Sequence, residues 1–119
     1  MIATKWHSTL VDQSVDDDLS EEVNLDGAFE FLTVIQPTLD GAHTVTAHIA
    51  MTSGGTYYPI YQLDNDTAAD FQQITTGLAT ARSLVFRIGG AQFVKIAVGT
   101  GVTTDKTFYV RGFNRENAG

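Results

Sequence analysis

The chain has 119 residues, and 43% of them are apolar, which is enough for one domain whose core is held together by packing alone. It contains no cysteine, so disulfide frameworks, thiolate metal sites and cysteine nucleophiles are excluded. Seven Lys and Arg stand against fourteen Asp and Glu, a formal charge of -7, which argues against nucleic acid or an anionic membrane as the main partner because both attract a positive surface.

The N-terminal residues lack the apolar run of a signal peptide. No stretch of the sequence approaches the roughly 18 apolar residues that a membrane helix requires. We therefore expect a protein that is made and kept in a cytoplasm until it is assembled into a larger structure.

The first third of the chain predicts an edge strand at residues 5–11, a short strand at 23–25 and a central strand at 29–36. Residues 43–51 alternate between apolar and polar, which predicts another strand. The Asp40-Gly41 pair between the last two segments is a turn signal, so the sequence predicts that they form a hairpin.

In the middle of the chain, residues 53–55 predict a turn and residues 56–63 a strand. Pro59 cannot donate a hydrogen bond to a neighbouring strand, which places this strand at an edge or a bulge. The polar residues 64–70 predict a loop, and residues 71–75 a weak strand.

The last third predicts three strands, at residues 83–88, 92–98 and 107–113. Gly89-Gly90 separates the first two and residues 99–101 separate the last two. Because Gly89-Gly90 joins two strands and opens no helix, it predicts a hairpin turn and not a phosphate-binding loop.

These elements give seven to nine short strands and no amphipathic helix. The pattern is typical of an all-β fold, and it predicts an antiparallel β-sandwich that is jelly-roll-like, with a closed barrel as the alternative. We expect a single domain over residues 1–119, with the segments 1–20 and 114–119 as arms that reach a neighbouring molecule.

The search for catalytic residues gives no constellation. His43 and His48 are five residues apart on one predicted strand, so their side chains point to opposite faces and cannot share a ligand, and His7 lies far from both. No serine lies in a Gly-x-Ser-x-Gly elbow. The sequence therefore predicts no catalytic residues and a protein that is not an enzyme.

The acidic run at residues 64–70 offers oxygen ligands in Asp64, Asn65, Asp66 and Asp70. It lacks the Gly at position six and the Glu at position twelve of an EF-hand, where Thr75 stands. A nonstandard calcium site and a turn capped by its own side chains both remain open. We expect no cofactor and no metal.

Five aromatic residues are the candidate binding residues, because exposed Trp and Tyr side chains anchor protein and sugar contacts. Residues 52–58 resemble the Ser-x-Asp-x-Gly-x-Thr-Trp turn of carbohydrate-active β proteins, but the Asp is missing and a Tyr replaces the Trp. The alternative is a turn that sends two tyrosines to opposite sides of an edge strand. The candidates are Trp6, Tyr57, Tyr58, Tyr61 and Tyr109.

Charge is distributed unevenly along the chain. Residues 16–18 and 21–22 are all acidic, whereas six of the seven basic residues lie between residues 82 and 115. The two explanations are an ordinary solvated surface and complementary pairing between neighbouring copies of the protein.

Residues 31–40, 55–59, 86–96 and 107–113 together resemble small virion proteins of tailed bacteriophages, and the resemblance covers residues 29–113. It implies a β-sandwich virion protein that decorates or cements a capsid, binds the major capsid protein or another virion protein, and forms a homotrimer. It also implies synthesis in the host cytoplasm and a final location on the capsid surface. The alternatives are a carbohydrate-binding or host-attachment module of a tail or fibre, and a structural protein of the neck or tail.

Overall fold

The structure is a computed structural model that describes residues 2–64 and 69–115. In this part of the chain there are nine strands and no helix. The strands are β1 (Ile2–Ala3), β2 (His7–Val11), β3 (Val23–Gln36), β4 (Val45–Ala50), β5 (Tyr58–Pro59), β6 (Tyr61–Asp64), β7 (Ala69–Gln72), β8 (Arg82–Val98) and β9 (Lys106–Asn114).

Seven of these strands form one antiparallel sheet in the order β1-β9-β3-β8-β4-β5, with β2 also paired to β9. The two central strands are long and bent. β3 has 14 residues and bends near Asp26, whose φ is 60°, and β8 has 17 residues and bends at Gly89 and Gly90, whose φ values are 63° and 91°.

The bends fold this sheet into two layers. The C-terminal half of β3 pairs with β9 and with the first half of β8, whereas Val23 and Asn24 pair with Val94 and Phe93 in the second half of β8. That second half pairs on its other side with β4. Strands that pass from one layer to the other through a bend are the usual way to form the corners of a sandwich.

The core lies between the two layers and is built from alternate residues of the long strands. Its side chains are aromatic or β-branched, which suits a pleated surface that is buried on one side. The most deeply buried include Leu32, Val34, Val94, Ile96, Phe108 and Val110. The predicted all-β, antiparallel β-sandwich is therefore confirmed, while the jelly-roll-like strand order stays a prediction.

The predicted hairpin at Gly89-Gly90 is wrong. Residues 83–88 and 92–98 belong to the single strand β8, which continues through both glycines and keeps β3 as its partner on either side of the bend. Positive φ values at two glycines can bend a strand as well as reverse it. The prediction that all strands are short is therefore wrong, because β8 has 17 residues.

The predicted hairpin between residues 29–36 and 43–51 is also wrong. β3 pairs with β8 and β9, and β4 pairs with β8 and β5. The connecting segment packs against residues further along the chain, since Leu39 is buried and its amide donates to the carbonyl of Ala79 at 2.8 Å. The Asp40-Gly41 turn therefore lies in a crossover connection.

The sequence predicts that Pro59 lies in a strand at an edge or a bulge. This prediction is confirmed, because Pro59 lies in β5, which is the last strand in the order of the sheet. β6 and β7 form a separate two-stranded sheet. Two residues of the calcium-site alternative, Asn65 and Asp66, lie outside the described residues.

The segment before β3 lies against its own domain. The amide of Val98 donates to the carbonyl of Asp18 at 2.7 Å, and the amide of Ser20 donates to the carbonyl of Ile96 at 2.8 Å. These bonds extend the second layer by one short segment and hold the connection between β2 and β3. The role of residues 1–20 and 114–119 as arms stays a prediction, and residues 1 and 116–119 lie outside the described part.

The side chain of Gln73 covers part of the open edge of β8. Its Nε2 donates to the carbonyl of Arg87 at 2.8 Å, and its Oε1 accepts from the amide of Arg87 at 2.8 Å. The side-chain amide thus imitates the neighbouring strand that the edge lacks. Covering an edge in this way protects a sheet against pairing with other chains.

We expect Gln73→Ala to lower the free energy of unfolding by about 1–3 kcal/mol, because two hydrogen bonds of about 0.5–1.5 kcal/mol each are lost. Equilibrium urea unfolding measures this change. Gln73→Glu is the matched control, because a carboxylate can accept from the amide of Arg87 but cannot donate to its carbonyl. If Gln73→Ala has the stability of the wild type, the amide does not stabilise the edge.

Candidate binding surface

One face of the first layer points away from the core. In β2, β9, β3 and the first half of β8, buried side chains alternate with outward ones. The register places Thr33 between Arg111 and Val85, and it pairs Ile35 with Tyr109. Side chains directly opposite each other on neighbouring strands are about 4.5–5.5 Å apart, so they form a continuous surface.

We call this surface the outer face, and it is unusually apolar for a surface. Its large side chains are exposed to solvent by 62% at Val85, 48% at Tyr109, 45% at Trp6 and 37% at Ile35. Single exposed apolar residues are ordinary, but a contiguous patch marks an interaction site. The outer face comprises Trp6, Phe31, Thr33, Ile35, Val85, Arg87, Tyr109, Arg111, Phe113 and Arg115.

Arginine side chains lie over aromatic rings on this face. The guanidinium carbon of Arg111 is 5.6 Å from the centre of the Trp6 ring. At one end of the face, the Phe31 and Phe113 rings stack with their centres 5.1 Å apart. The guanidinium carbon of Arg115 is 5.3 Å from the Phe31 ring. Such contacts hold a cation in place while leaving most of its donors free.

Arg87 completes this end of the face. Its guanidinium carbon lies 6.0 Å from the centre of the Phe31 ring, and its Nη2 is 3.4 Å from a carboxylate oxygen of Glu30. The pair is exposed, so it contributes little to stability. The outer face therefore combines aromatic, aliphatic and arginine side chains, which is the composition of protein-binding hot spots.

A second surface is a groove of about 940 Å³ beside the bend of β8. Gly89 and Gly90 form part of its wall, and β4 and β5 form the opposite side. Tyr58 and Tyr61 line the groove and are exposed, as is Met51. The bend thus creates a concave site with two tyrosines.

Tyr57 lies in neither surface. Its hydroxyl donates to Glu22, whose carboxylate also accepts from the hydroxyl of Ser53 at 2.6 Å and the amide of Gly54 at 2.9 Å. The Nζ of Lys95 lies 4.9 Å from the centre of the Tyr57 ring. Tyr57 therefore fixes the turn after β4 to the start of β3.

These contacts perturb two titrations. Burial and the hydrogen bond to Glu22 raise the pKa of Tyr57 above its usual range. Three hydrogen bonds lower the pKa of Glu22 because they stabilise its charged form. In decreasing order of effect, they come from the Ser53 hydroxyl, the Tyr57 hydroxyl and the Gly54 amide. The carboxylate is therefore ionised at neutral pH.

We expect Glu22→Gln to lower the free energy of unfolding by about 1 kcal/mol at pH 7, because the charge-assisted hydrogen bonds to the turn are weakened. Since the pKa of Glu22 is lowered on folding, its contribution is present above the unfolded pKa of about 4.3 and is lost as the pH falls through the folded value. The difference between the wild type and the variant should therefore shrink below about pH 4.

Urea unfolding of both proteins between pH 3 and pH 8 measures this difference. The pKa values of Asp12 and Asp40 are also lowered, by hydrogen bonds from Ser14 and from Thr103 respectively, so the wild type becomes less stable in acid for several reasons. The comparison with Glu22→Gln isolates the contribution of Glu22. A difference that stays constant over the whole range would contradict this assignment.

The histidines lie apart and have different surroundings. His43 connects two loops, with Nε2 2.7 Å from Asp40 Oδ1 and Nδ1 2.8 Å from the carbonyl oxygen of Gly99. His48 lies in β4, and burial lowers its pKa, while His7 lies in β2. Within the described residues, the one group of three or more carboxylates and histidines close enough to share an ion is Asp16–Asp18, which is exposed.

The structure divides the five predicted binding residues. Trp6 and Tyr109 lie on the outer face, Tyr58 and Tyr61 line the groove, and Tyr57 is engaged by Glu22. Sequence reasoning missed the other half of the outer face, namely its aliphatic and arginine side chains. The alternation of inward and outward side chains along residues 31–35 and 83–87 was the sequence signal that could have identified those on β3 and β8. These missed residues are Ile35, Val85, Arg87, Arg111 and Arg115.

Across residues 2–64 and 69–115 there is no helix long and apolar enough to cross a membrane. No protein-family model matches the sequence, and no curated protein matches it. Among solved structures, the chain is similar to the SPBc2 prophage-derived protein YomS, known from a crystal structure. The TM-score is 0.54 and the sequence identity 19%, over 94% of this chain and 95% of that chain. This likeness shows that the two proteins share a fold.

Proposed function

We propose that this chain is a structural protein of a bacteriophage virion and that it decorates the capsid by binding other virion proteins through its outer face. The observation that carries the proposal is the outer face itself, an exposed apolar and arginine-rich surface on a rigid sheet. The shared fold with a prophage-derived protein supports a phage origin. The resemblance of the strand and turn motifs to small phage virion proteins supports the structural role.

The form of the outer face suits binding to a protein better than catalysis. The face lies on a sheet and presents Trp, Tyr and Arg side chains, which supply much of the binding energy in protein interfaces. Its groups are held by the backbone of four paired strands, so little order has to be created on binding. We propose on this basis a partner in the shell, such as the major capsid protein, and a location on the capsid surface without enzymatic activity.

The experiment that tests this function is binding of the purified protein to particles of the parent phage from which it has been removed. We expect saturable binding, and electron cryomicroscopy should place the protein at symmetry-related positions on the shell. Trp6→Ala combined with Tyr109→Ala should weaken binding at least tenfold, because two aromatic anchors are lost.

The matched control is Tyr58→Ala combined with Tyr61→Ala, which removes two exposed tyrosines from the groove and leaves the outer face intact. This variant should bind particles like the wild type. No binding of the wild type, or binding at random positions, would contradict the decoration role. Loss of binding in the control variant alone would assign the contact to the groove.

The groove supports a second candidate function, a carbohydrate-binding module of a tail or fibre. A concave site with Tyr58, Tyr61 and the polar side chain of Gln92 can stack on a sugar ring and bind its hydroxyl groups. A glycan array tests it. Hits that disappear in Tyr58→Ala combined with Tyr61→Ala would favour this function, and an array without hits would reject it.

A further inference from the structure

We infer that the outer face binds the acidic end of a second copy of this chain, so that copies associate head to tail. The inference rests on the proposed function, because it names one partner of the same face. It is carried by the charges at the two ends of β9, which are of opposite sign.

The acidic end lies where β9 begins. Asp105 precedes β9, and its Oδ1 accepts from the amide of Gln13 at 3.1 Å, while the carbonyl of Asp17 accepts from the amide of Val102 at 2.9 Å. These bonds bring the loop after β2 to this end of the sheet. Lys106, the first residue of β9, is a basic residue at this otherwise acidic end. The acidic end comprises Asp12, Asp16, Asp17, Asp18 and Asp105.

The basic end lies where β9 finishes. Arg115 follows the strand, and Arg115 and Arg87 both lie over the Phe31 ring, while Arg111 lies over the Trp6 ring. Within the described residues, Glu30 is paired with Arg87 at this end. β9 has nine residues, so the two ends are about 27 Å apart at 3.4 Å for each residue. The acidic loop of one molecule therefore cannot reach the basic end of the same molecule.

The groups at the two ends are available to a partner. The side chains of Asp17 and Asp18 are exposed and accept no hydrogen bond from any described residue. Arg115 is exposed and likewise donates none within this part of the chain. Asp16 differs, because its Oδ1 accepts from the amides of Asp18 and Leu19 at 3.1 and 3.2 Å. Asp16 shapes the loop, and its two neighbours present their charges to solvent.

The size of the outer face sets the strength of the contact. Four strands spaced about 4.8 Å apart, and about four residues of roughly 3.4 Å along each, give a surface of roughly 260 Å². A standard interface buries about 800 Å² on each partner, so this contact should be weak in solution and become effective where many copies are held close together. A surface that binds a different surface of the next copy closes into a ring or continues as a chain.

The experiment uses two neutralised variants of the full chain. Arg87→Gln combined with Arg115→Gln removes charge from the basic end, and Asp17→Asn combined with Asp18→Asn removes it from the acidic end. Sedimentation velocity at 10–500 µM protein in about 50 mM salt should show wild-type oligomers that dissociate in about 500 mM salt, where charges are screened within a few ångströms. Each variant alone should have a dissociation constant at least tenfold higher than the wild type.

The mixture of the two variants is the decisive sample. One variant keeps an intact acidic end and the other an intact basic end, so they can form one native contact, and we expect a heterodimer and no larger species. Thermal unfolding checks that both variants are folded. Association of either variant alone that is as strong as that of the wild type, or no heterodimer in the mixture, would overturn the inference. A wild type that is monomeric over the whole range would also overturn it, while leaving the particle-binding test of the proposed function unaffected.

Discussion

Replacing Gly89 and Gly90 together by valine is expected to lower the free energy of unfolding by about 2–4 kcal/mol, because a left-handed backbone costs roughly 1–2 kcal/mol for each residue with a Cβ and more for a β-branched one. Their φ values are 63° and 91°, and no atom lies within 4 Å of where a Cβ would stand at either position. The cost is therefore one of backbone conformation and not of packing. Equilibrium urea unfolding measures it.

A comparison at one position separates these two causes. Asparagine tolerates the left-handed region that Gly89 occupies, whereas valine does not, so Gly89→Asn should cost clearly less than Gly89→Val. If crowding were the cause, the larger size of both side chains would make them similarly unfavourable. Equal stability of Gly89→Val and the wild type would show that the bend of β8 does not require glycine.

The glycine pair also shows what local sequence can and cannot predict about this fold. The strands at residues 83–88, 92–98 and 107–113 follow from their own composition and alternation, and all three segments are strands in the structure. Whether Gly89-Gly90 reverses the chain or bends it depends on the partner strand. β3 accompanies β8 on both sides of the bend, and that partnership joins residues about 50–70 positions apart, which no local pattern records.

Local sequence likewise predicts only part of the candidate binding surface, because the surface depends on pairing between distant strands. Trp6 and Tyr109 are recognisable from residue type, because aromatic side chains on a small domain are potential anchors. The outward direction of Ile35 and Val85 follows from alternation along their strands. Their meeting on one face follows from the pairing of β3 with β8, about 50 positions apart. The position of Arg111 over Trp6 follows from the pairing of the two ends of the chain, which are more than 100 residues apart.

Tyr57 shows the opposite case, in which residue type is misleading about availability. It carries the same side chain as Tyr58 and stands beside it, yet its hydroxyl is bound by Glu22, 35 residues earlier. The turn at residues 52–55 sends one tyrosine toward this carboxylate and the other toward the groove. Only the position of Glu22 at the start of β3 distinguishes the two residues.

Gln36→Leu is expected to lower the free energy of unfolding by about 2–3 kcal/mol, because it removes three hydrogen bonds from a fully buried amide. Nε2 of Gln36 donates to the carbonyls of Leu78 and Thr80 at 3.0 and 3.2 Å. Its Oε1 accepts from Nε of Arg82 at 3.2 Å. This single side chain attaches the segment before β8 to the end of β3, and leucine of similar size can replace none of these bonds.

The matched control is Gln92→Leu, the same substitution at a partly exposed glutamine whose amide donates to Asn24 Oδ1 at 2.9 Å. Its cost should be about 0.5 kcal/mol or less, because water replaces the lost bond. A double-mutant cycle with Arg82→Met then measures the contact directly, and we expect a coupling of about 1 kcal/mol between Gln36 and Arg82. Additive effects in the cycle, or equal costs at positions 36 and 92, would show that Gln36 contributes by its volume alone.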